Sequence, residues 1–203
     1  GGMTRSWPVR LTDGDLVVRP LSTADGRAWM EVRRRNHDWL AQWDATNPPN
    51  SGEQPPTFRQ MVRLLRNEAR AGRTMAFAVL VGGNFAGQVT LGGMGWGSLR
   101  SGYIGYWIDE MYAGRGYMPR AVAMVADYAF FTLGLHRIEI NIRPENAASI
   151  RVVEKLGFRH EGLRRRYLHI AGDWRDHSTY ALCAEEVPDG VLTAVKERSR
   201  NPR

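Results

Sequence analysis

The sequence predicts an α/β fold: a mixed sheet of about seven strands with helices on both of its faces. Three observations support this class. Along the chain, the spacing of apolar residues alternates between the two-residue period of strands and the roughly 3.6-residue period of helices. Some consecutive strands are joined by short turns and others by helices, which is the connectivity of a mixed sheet. No internal repeat or low-complexity segment interrupts residues 11–200, so we predict one domain over that range.

In the amino-terminal third, the sequence pattern predicts one strand and three helical segments. Residues 16–20 read as a strand, and residues 22–25 resemble a capping box that opens a helix to about Arg34. Residues 36–54 predict a short helical piece followed by a loop. Thr57 is predicted to cap the next helix. The apolar stripe of that helix lies opposite four arginines, Arg59, Arg63, Arg66 and Arg70.

Three strands connected directly to one another are expected next. Residues 74–81 and 85–91 form a predicted hairpin around a turn at residues 82–84. A glycine-rich connection over residues 92–98 is expected to lead into a strand over residues 101–108. That strand is aromatic and β-branched, as strands are.

The remaining elements alternate between helix and strand. A helix is predicted to about Leu133, followed by a strictly alternating strand over residues 136–143 whose isoleucines share one face. The next helix begins near Asn146 and ends at Gly157. The last predicted elements are a strand from Phe158, a turn at residues 171–173, a strand over residues 177–184 and a helix over residues 188–200.

Composition limits the class of protein. The hydrophobic fraction of 43% and the charged fraction of 24% are ordinary for a chain with a buried core. No apolar run approaches the length of a membrane span, so no membrane association is expected. Residues 1–3 are predicted to be an expression remnant. The single cysteine, Cys183, excludes an internal disulfide and predicts a cytoplasmic protein.

The net charge of +7 makes an acidic partner plausible without naming it. The basic residues are 26 arginines and 2 lysines, scattered along the chain. The densest clusters are residues 33–35 and 164–166, and a solvated face is the favoured interpretation of each. Nucleic-acid binding therefore stays open.

The segment between the 101–108 strand and the following helix is the most informative one. Residues 113–118 read Ala-Gly-Arg-Gly-Tyr-Met, a glycine-bearing turn that leads into a helix. Glycines allow close backbone approach, and free N–H groups at a helix start attract anions. With positive charge from Arg115 and Arg120, the turn predicts a phosphate site. It matches neither a P-loop nor a dinucleotide-binding turn, because no lysine follows and Pro119 replaces the third glycine.

A second motif follows the alternating strand. Residues 146–158 read NAASIRVVEKLGF. Together with the glycine turn, the polar Glu139 and Asn141, and residues 172–177, this motif resembles the GNAT superfamily of acyl-CoA-dependent N-acetyltransferases. Within it, the chain is most similar to the RimJ/RimL-like branch of ribosomal-protein alanine N-acetyltransferases. The resemblance covers residues 16–184. It implies the GNAT fold, whose twisted central sheet is mostly antiparallel, and acetyl-CoA as the acyl donor, with no metal.

The resemblance also implies where acetyl-CoA binds. The family's pyrophosphate loop corresponds to residues 113–118, with departures from the family pattern at Ala113 and Met118. The preceding strand is expected to splay from its neighbour, so that pantetheine pairs with exposed backbone. Asn146 corresponds to the residue that bonds the pantetheine arm, although an asparagine at this point is also a good helix cap. The implied cofactor-binding residues are Trp107, Ile108, Gly114, Arg115, Gly116, Tyr117, Met118, Asn146, Ser149 and Arg151.

Catalytic roles carry over less completely. RimI-type relatives have a glutamate and a tyrosine where this chain has Asn141 and Val153, so that acid–base pair is absent. The RimL-like branch uses a serine at the position of Ser149 as acid, and its glutamate base falls at Leu168. The candidate catalytic residues are Ser149, Glu139 and Tyr167, with Asp176 and His177 as further candidates for the base. Each candidate base also has a purely structural interpretation, and water is an alternative to all of them.

The leading hypothesis is acetylation of a protein N-terminal α-amine, with a ribosomal protein as acceptor, by direct attack in a ternary complex. Three alternatives stay open. In the first, the acceptor is an antibiotic amine or a polyamine. In the second, the chain binds CoA without catalysis. In the third, basic faces dock on ribosomal RNA, which is compatible with the leading hypothesis.

Overall fold

The computed structural model describes residues 6–201. Its single sheet contains eight strands, one more than the sequence suggests, because three residues at the amino terminus add an edge strand. The strands are β1 (Leu11–Asp13), β2 (Leu16–Pro20), β3 (Met75–Val81), β4 (Asn84–Gly95), β5 (Ser101–Ile108), β6 (Arg137–Ile142), β7 (Arg159–Ile170) and β8 (Asp173–Cys183).

In the described part of the chain, six α-helices with given bounds connect or flank these strands. They are α1 (Gly26–Arg35), α2 (His37–Ala41), α3 (Phe58–Arg70), α4 (Tyr117–Asp127), α5 (Ala147–Leu156) and α6 (Val191–Arg200). A π-helical segment, Tyr128–Leu133, continues α4. Within residues 6–201, no helix combines the length and hydrophobicity that a bilayer crossing requires.

The strand order is β1-β2-β3-β4-β5-β6-β8-β7. Every neighbouring pair is antiparallel except β5 and β6, which are parallel because the crossover through α4 joins them. The mixed, mostly antiparallel sheet is therefore confirmed. The structure differs at residues 92–95, which extend β4 instead of forming a loop. The Tyr103 ring lies against this stretch, where a side chain on Gly92 or Gly93 would come within 2.8 or 2.6 Å of it.

Helices cover both faces of the sheet, as predicted. On one face α4, α5 and α6 bury the larger apolar cluster, which includes the fully buried Ile138 and Leu156. On the other face α1 and α3 cover a smaller cluster around Val62 and Phe85. β5 contributes to both clusters, with Ile104 on the first side and Trp107 on the second.

Local sequence signals set where the early helices begin. The Asp25 carboxylate accepts the Ser22 amide at 2.8 Å, and Ser22 Oγ accepts the Ala24 amide at 3.0 Å. Arg19 holds the same carboxylate with two hydrogen bonds of 2.9 and 2.7 Å. Thr57 forms the reciprocal cap of α3 with Gln60. Side chains thus satisfy amides that helix starts leave unpaired, which confirms both capping predictions.

Candidate functional site

The sheet opens between β5 and β6. The two strands pair at three positions, from Ser101 opposite Arg137 to Tyr103 opposite Glu139. Beyond these positions they diverge, since β5 continues along β4 as far as Ile108 and β6 continues along β8. The divergence leaves a wedge inside the sheet, and the walls of the wedge are backbone edges without a strand partner.

The predicted glycine turn follows the end of β5 that borders this wedge. Gly114 and Gly116 have φ values of +74° and +82°, in the left-handed region that favours glycine. Among the described residues, no acceptor receives a hydrogen bond from the amides of residues 114–118. Unpaired amides at a helix start are suited to binding an anion, and the exposed Arg115 lies in the same turn.

A cavity of about 390 Å³ runs from the glycine turn to the wedge; we call it the loop-side cavity. It contains eight of the residues predicted to bind the cofactor: Trp107, Ile108, Gly114, Gly116, Met118, Asn146, Ser149 and Arg151. Arg115 and Tyr117 do not line it. Lys155, one helical turn after Arg151 on α5, also lines this cavity and was not anticipated. The loop-side cavity therefore combines free amides with two cationic side chains.

A second cavity of about 420 Å³, the hairpin-side cavity, lies between the wedge and the β7–β8 hairpin. Tyr167, Leu168 and His177 line it on the hairpin side. The two cavities share six lining residues: Trp43, Asp44, Tyr106, Trp107, Asn146 and Ser149. A molecule in one cavity can therefore meet a molecule in the other beside Ser149.

Asn146 is both a helix cap and a cavity residue. Its Oδ1 accepts a 3.1 Å hydrogen bond from the Ser149 amide at the start of α5. The amide nitrogen Nδ2 has no acceptor among the described residues, although Asn146 lines both cavities. The two interpretations of Asn146 are thus compatible, because one end of the side chain caps the helix while the other remains available.

Ser149 forms a pair that the sequence did not reveal. Its Oγ lies 2.7 Å from the phenol oxygen of Tyr106, which also donates to the Ser149 carbonyl oxygen at 3.2 Å. Burial raises the pKa of Tyr106 well above its ordinary value, so the phenol keeps its proton at neutral pH. The alternation of β5 places Tyr106 on the same face as the buried Ile104. The alternation therefore predicts that the Tyr106 side chain faces helices α4, α5 and α6. It does not predict that Ser149 is the partner.

A buried carboxylate anchors the segment before the glycine turn. Asp109 accepts hydrogen bonds from Arg35 Nη1 at 3.0 Å, Asn36 Nδ2 at 3.0 Å and the Met111 amide at 3.1 Å. Burial acts to raise the pKa of Asp109, but the hydrogen bonds from Arg35, Met111 and Asn36 outweigh it and leave the pKa below its ordinary value. The end of α1 is thereby fixed to the segment that leads into the turn.

Two predicted side chains are engaged away from the cavities. The Glu139 carboxylate is bound by Arg137 at 2.8 Å and Arg164 at 3.1 Å, and Glu139 lines neither cavity. The role of Glu139 as base stays a prediction, and its carboxylate is already paired with two arginines. Arg120, which the sequence placed near a phosphate, instead bonds the Asp13 carboxylate at 2.8 Å. That contact joins α4 to β1 and was not visible in the local pattern.

Tyr167 lies at the hairpin-side cavity. It is 37% exposed and accepts a 3.0 Å hydrogen bond from Arg164. Its ring meets the His177 ring edge-on, with centroids 5.7 Å apart. Asp176 is also engaged, because its carboxylate accepts the Arg166 amide at 2.8 Å.

The splayed sheet and the glycine turn with free amides are the features that the resemblance to acyl-CoA-dependent N-acetyltransferases predicts. The family model for the acetyltransferase (GNAT) domain matches residues 15–159, so the chain belongs to this family. The predicted family, enzyme class and acyl donor are thereby confirmed.

Individual relatives cover between 82% and 96% of this chain. The structure of Mycobacterium smegmatis RimJ in complex with CoA-disulfide is similar, with a TM-score of 0.89 and 35% identity over 96% of this chain and 97% of that one. The Bacillus subtilis protein described as "Probable N-acetyltransferase YjcK" is 32% identical over 82% of this chain and 93% of its own length. The Escherichia coli [ribosomal protein uS5]-alanine N-acetyltransferase is 29% identical over 90% and 94%.

Proposed function

We propose that this enzyme acetylates the N-terminal α-amine of a protein, with a ribosomal protein as acceptor, by direct attack on acetyl-CoA in a ternary complex. The observation that carries the proposal is the meeting of the two cavities at Ser149 and Tyr106. One cavity takes the donor and the other the acceptor, so no acyl-enzyme is needed. The single cysteine, Cys183, is buried and lies outside both cavities.

The donor is held by the loop-side cavity. The free amides of residues 114–118 bind the pyrophosphate, and Arg115 adds charge beside them. The β5 edge at Trp107 and Ile108 pairs with the pantetheine arm, which Asn146 Nδ2 also bonds. Arg151 and Lys155 neutralise the remaining phosphate charge. Tyr117, the first residue of α4, contributes its backbone amide, since its ring packs against Tyr112 at 6.2 Å.

Ser149 protonates the departing thiolate. The single hydroxyl hydrogen of Tyr106 can point to the Ser149 carbonyl oxygen or to Ser149 Oγ; when it points to Oγ, the serine hydroxyl proton is free for the sulfur. The phenol then restores the serine proton, because its own proton is retained at neutral pH. Tyr167 lines the acceptor cavity and acts as a wall and hydrogen-bond partner for the acceptor.

An extended protein N-terminus suits the hairpin-side cavity better than a small polar amine. Tyr167 and Leu168, each 37% exposed, line it together with the aromatic rings of Trp43 and Tyr103. Apolar walls of this kind bind the first side chains of a peptide. Relatives named as acting on the alanine of uS5 support the same acceptor class.

Acceptor identity is tested with peptides that begin with Ala or Ser, compared with a panel of polyamines and antibiotic amines, with mass spectrometry of the products. The matched control is each peptide with its N-terminus already acetylated and an internal lysine present. Transfer to free N-termini alone supports the proposal. Transfer only to small amines assigns the alternative acceptor class, and CoA binding without any transfer indicates a binding module.

A ribosomal location is the second part of the proposal. On α3, Arg59, Arg63, Arg66 and Arg70 form one exposed stripe, and within the described residues no acidic side chain pairs with them. Arg66 and Arg70 also border a groove of about 500 Å³. Such a stripe suits ribosomal RNA, whose binding would weaken steeply with salt in the native protein and less so after Arg63→Ala and Arg66→Ala. The proposal also places the enzyme in the cytoplasm.

A further inference from the structure

The hairpin-side cavity offers few groups that can accept a proton at neutral pH. Among its lining residues, only Asp44 and His177 have ordinary pKa values below 7. The Asp44 carboxylate is engaged by the Arg33 guanidinium in an ion pair. Glu139 lies outside the cavity, and Leu168 stands where the RimL-like branch is expected to place its base. His177 is therefore the remaining side chain with proton-accepting chemistry.

The hydrogen bonding of His177 fixes which ring nitrogen is available. Nδ1 lies 2.9 Å from the carbonyl oxygen of Arg175. A carbonyl oxygen can only accept, so Nδ1 must carry the hydrogen. In the neutral ring Nε2 then has a lone pair, and no described residue donates to it. Since His177 is only 3% exposed and lines the cavity, the cavity is where that lone pair can be used.

The surroundings of His177 favour the neutral ring. Burial lowers its pKa and is the largest influence. The Arg175 carbonyl acts in the opposite direction, Arg143 lowers the pKa further, and Glu145 and Asp176 raise it, with a net lowering below the ordinary value. From β7, Arg164 stands opposite His177 in the strand register, and Tyr167 contributes an uncharged ring. At neutral pH the imidazole is thus unprotonated.

We propose that Nε2 of His177 is the general base that takes a proton from the acceptor ammonium in the hairpin-side cavity. This inference rests on the proposed function, because it requires an amine in that cavity. His177 then faces the reaction from the acceptor side, and the Ser149–Tyr106 pair faces it from the donor side. The two proton-transfer groups are separate, as expected when one group must accept a proton and another must donate one.

Protons and electrons balance over the proposed reaction. The ammonium gives one proton to Nε2, and the neutral amine forms a bond to the thioester carbonyl carbon. The carbon–sulfur bond breaks as the tetrahedral intermediate collapses, and the sulfur takes the Ser149 hydroxyl proton. The second proton of the attacking nitrogen returns through water to the Ser149–Tyr106 pair. The imidazolium releases its proton to solvent, which leaves an amide, free CoA thiol and one proton.

The test compares His177→Asn with the wild-type enzyme, using the best peptide acceptor at saturation. Asparagine retains an N–H donor for the Arg175 carbonyl but lacks Nε2, so the structural bond is kept and the base is lost. His160→Asn is the matched control, because His160 is an exposed histidine on β7 that lines neither cavity. Calorimetric CoA affinity and melting temperature report folding of each variant.

We expect His177→Asn to lower kcat at pH 7 about 100-fold, with unchanged CoA affinity. The acidic limb of its kcat profile should move up towards pH 8, near the ordinary pKa of an α-amine. Added imidazole should restore part of the rate to His177→Gly. Unchanged kcat and an unchanged pH profile in His177→Asn would overturn the assignment.

If the variants do not fold, the pH profile of the wild-type enzyme tests whether His177 is the general base. A base with a lowered pKa predicts a kcat limb below about pH 6.5, whereas reaction of free amine alone predicts a limb near pH 8. A wild-type enzyme that transfers acetyl groups with only the higher limb would overturn the role of His177. A wild-type enzyme that binds CoA but acetylates no amine would instead contradict the proposed function.

Discussion

The phenol oxygen of Tyr106 lies 2.7 Å from Oγ of Ser149, although the two residues are 43 positions apart in the chain. β5 supplies the phenol and α5 supplies the hydroxyl, and the elements meet where β5 and β6 diverge. The pair is the point at which donor and acceptor cavities join. We therefore propose that its hydroxyl groups supply the proton for the leaving sulfur.

Removing the serine hydroxyl should slow turnover without loosening the donor. Ser149→Ala is expected to lower kcat about 10- to 100-fold and to change KM for acetyl-CoA far less, because the hydroxyl acts on the leaving group. Steady-state kinetics at varied acetyl-CoA separates the two constants. Turnover equal to that of the native enzyme would remove Ser149 from the mechanism.

Tyr106 should act only through Ser149. Tyr106→Phe deletes one oxygen, and we expect kcat to fall about 10-fold with unaltered CoA affinity. In the double variant with Ser149→Ala, the loss should be close to that of Ser149→Ala alone, because the two hydroxyls form one relay. Strictly additive losses in this double-mutant cycle would argue against the relay.

The two roles of Asn146 can be separated by two substitutions. Asn146→Ala should weaken CoA binding and also lower the free energy of unfolding by about 1 kcal/mol, because the α5 cap is lost. Asn146→Asp keeps an oxygen for the Ser149 amide and should lose only CoA affinity. Calorimetry and thermal denaturation measure the two quantities, and unaltered CoA affinity in both variants would refute the donor contact.

Arg151 should contribute to donor binding through charge. Arg151→Ala is expected to raise KM for acetyl-CoA about tenfold, which corresponds to roughly 1.4 kcal/mol, with little change in kcat. The difference should shrink as salt screens the phosphates. Arg10→Ala is the control, since Arg10 is exposed and lines neither cavity. An equal effect in both variants would indicate a general charge effect.

Asp109 should make stability depend on acid pH. Its pKa in the folded protein lies below the unfolded value of about 3.9, so its stabilisation is complete above that value and is lost as pH falls through the folded pKa. Asp109→Asn should cost about 1–3 kcal/mol at pH 7 and flatten the acid dependence. Thermal melts between pH 7 and pH 2 measure this. Parallel melting curves for both proteins would contradict the assignment.

Signals confined to a few neighbouring residues predicted most of the fold. The Ser22–Asp25 and Thr57–Gln60 caps, the isoleucine face of β6 and the end of α5 at Gly157 depend on local hydrogen bonds or on periodicity. The three-residue β1 was missed because so short a segment has no measurable period. The extension of β4 was missed because its glycines are kept in the sheet by the packing of Tyr103.

Most of the residues predicted to bind the donor lie together in the loop-side cavity, because a few short, continuous segments supply its lining. The glycine turn and the start of α5 each carry their chemistry in consecutive residues. The acid–base side depends on contacts between distant segments, such as the Arg164 guanidinium on Glu139 and the edge-on packing of Tyr167 and His177. Local sequence patterns cannot predict those contacts, because the residues that make them lie far apart in the chain.

The divergence of β5 and β6 places a sheet edge in the interior of the molecule. Edges on the rim of a sheet are hazards, because another chain can pair with them. Here helices cover both faces of the sheet, so we expect the gap to admit a narrow, linear molecule. The width of the gap thus limits which ligands can bind, in addition to the contacts made by side chains. If the donor fills the gap as we propose, it completes the sheet, and its binding energy stabilises the contact between the two halves of the sheet.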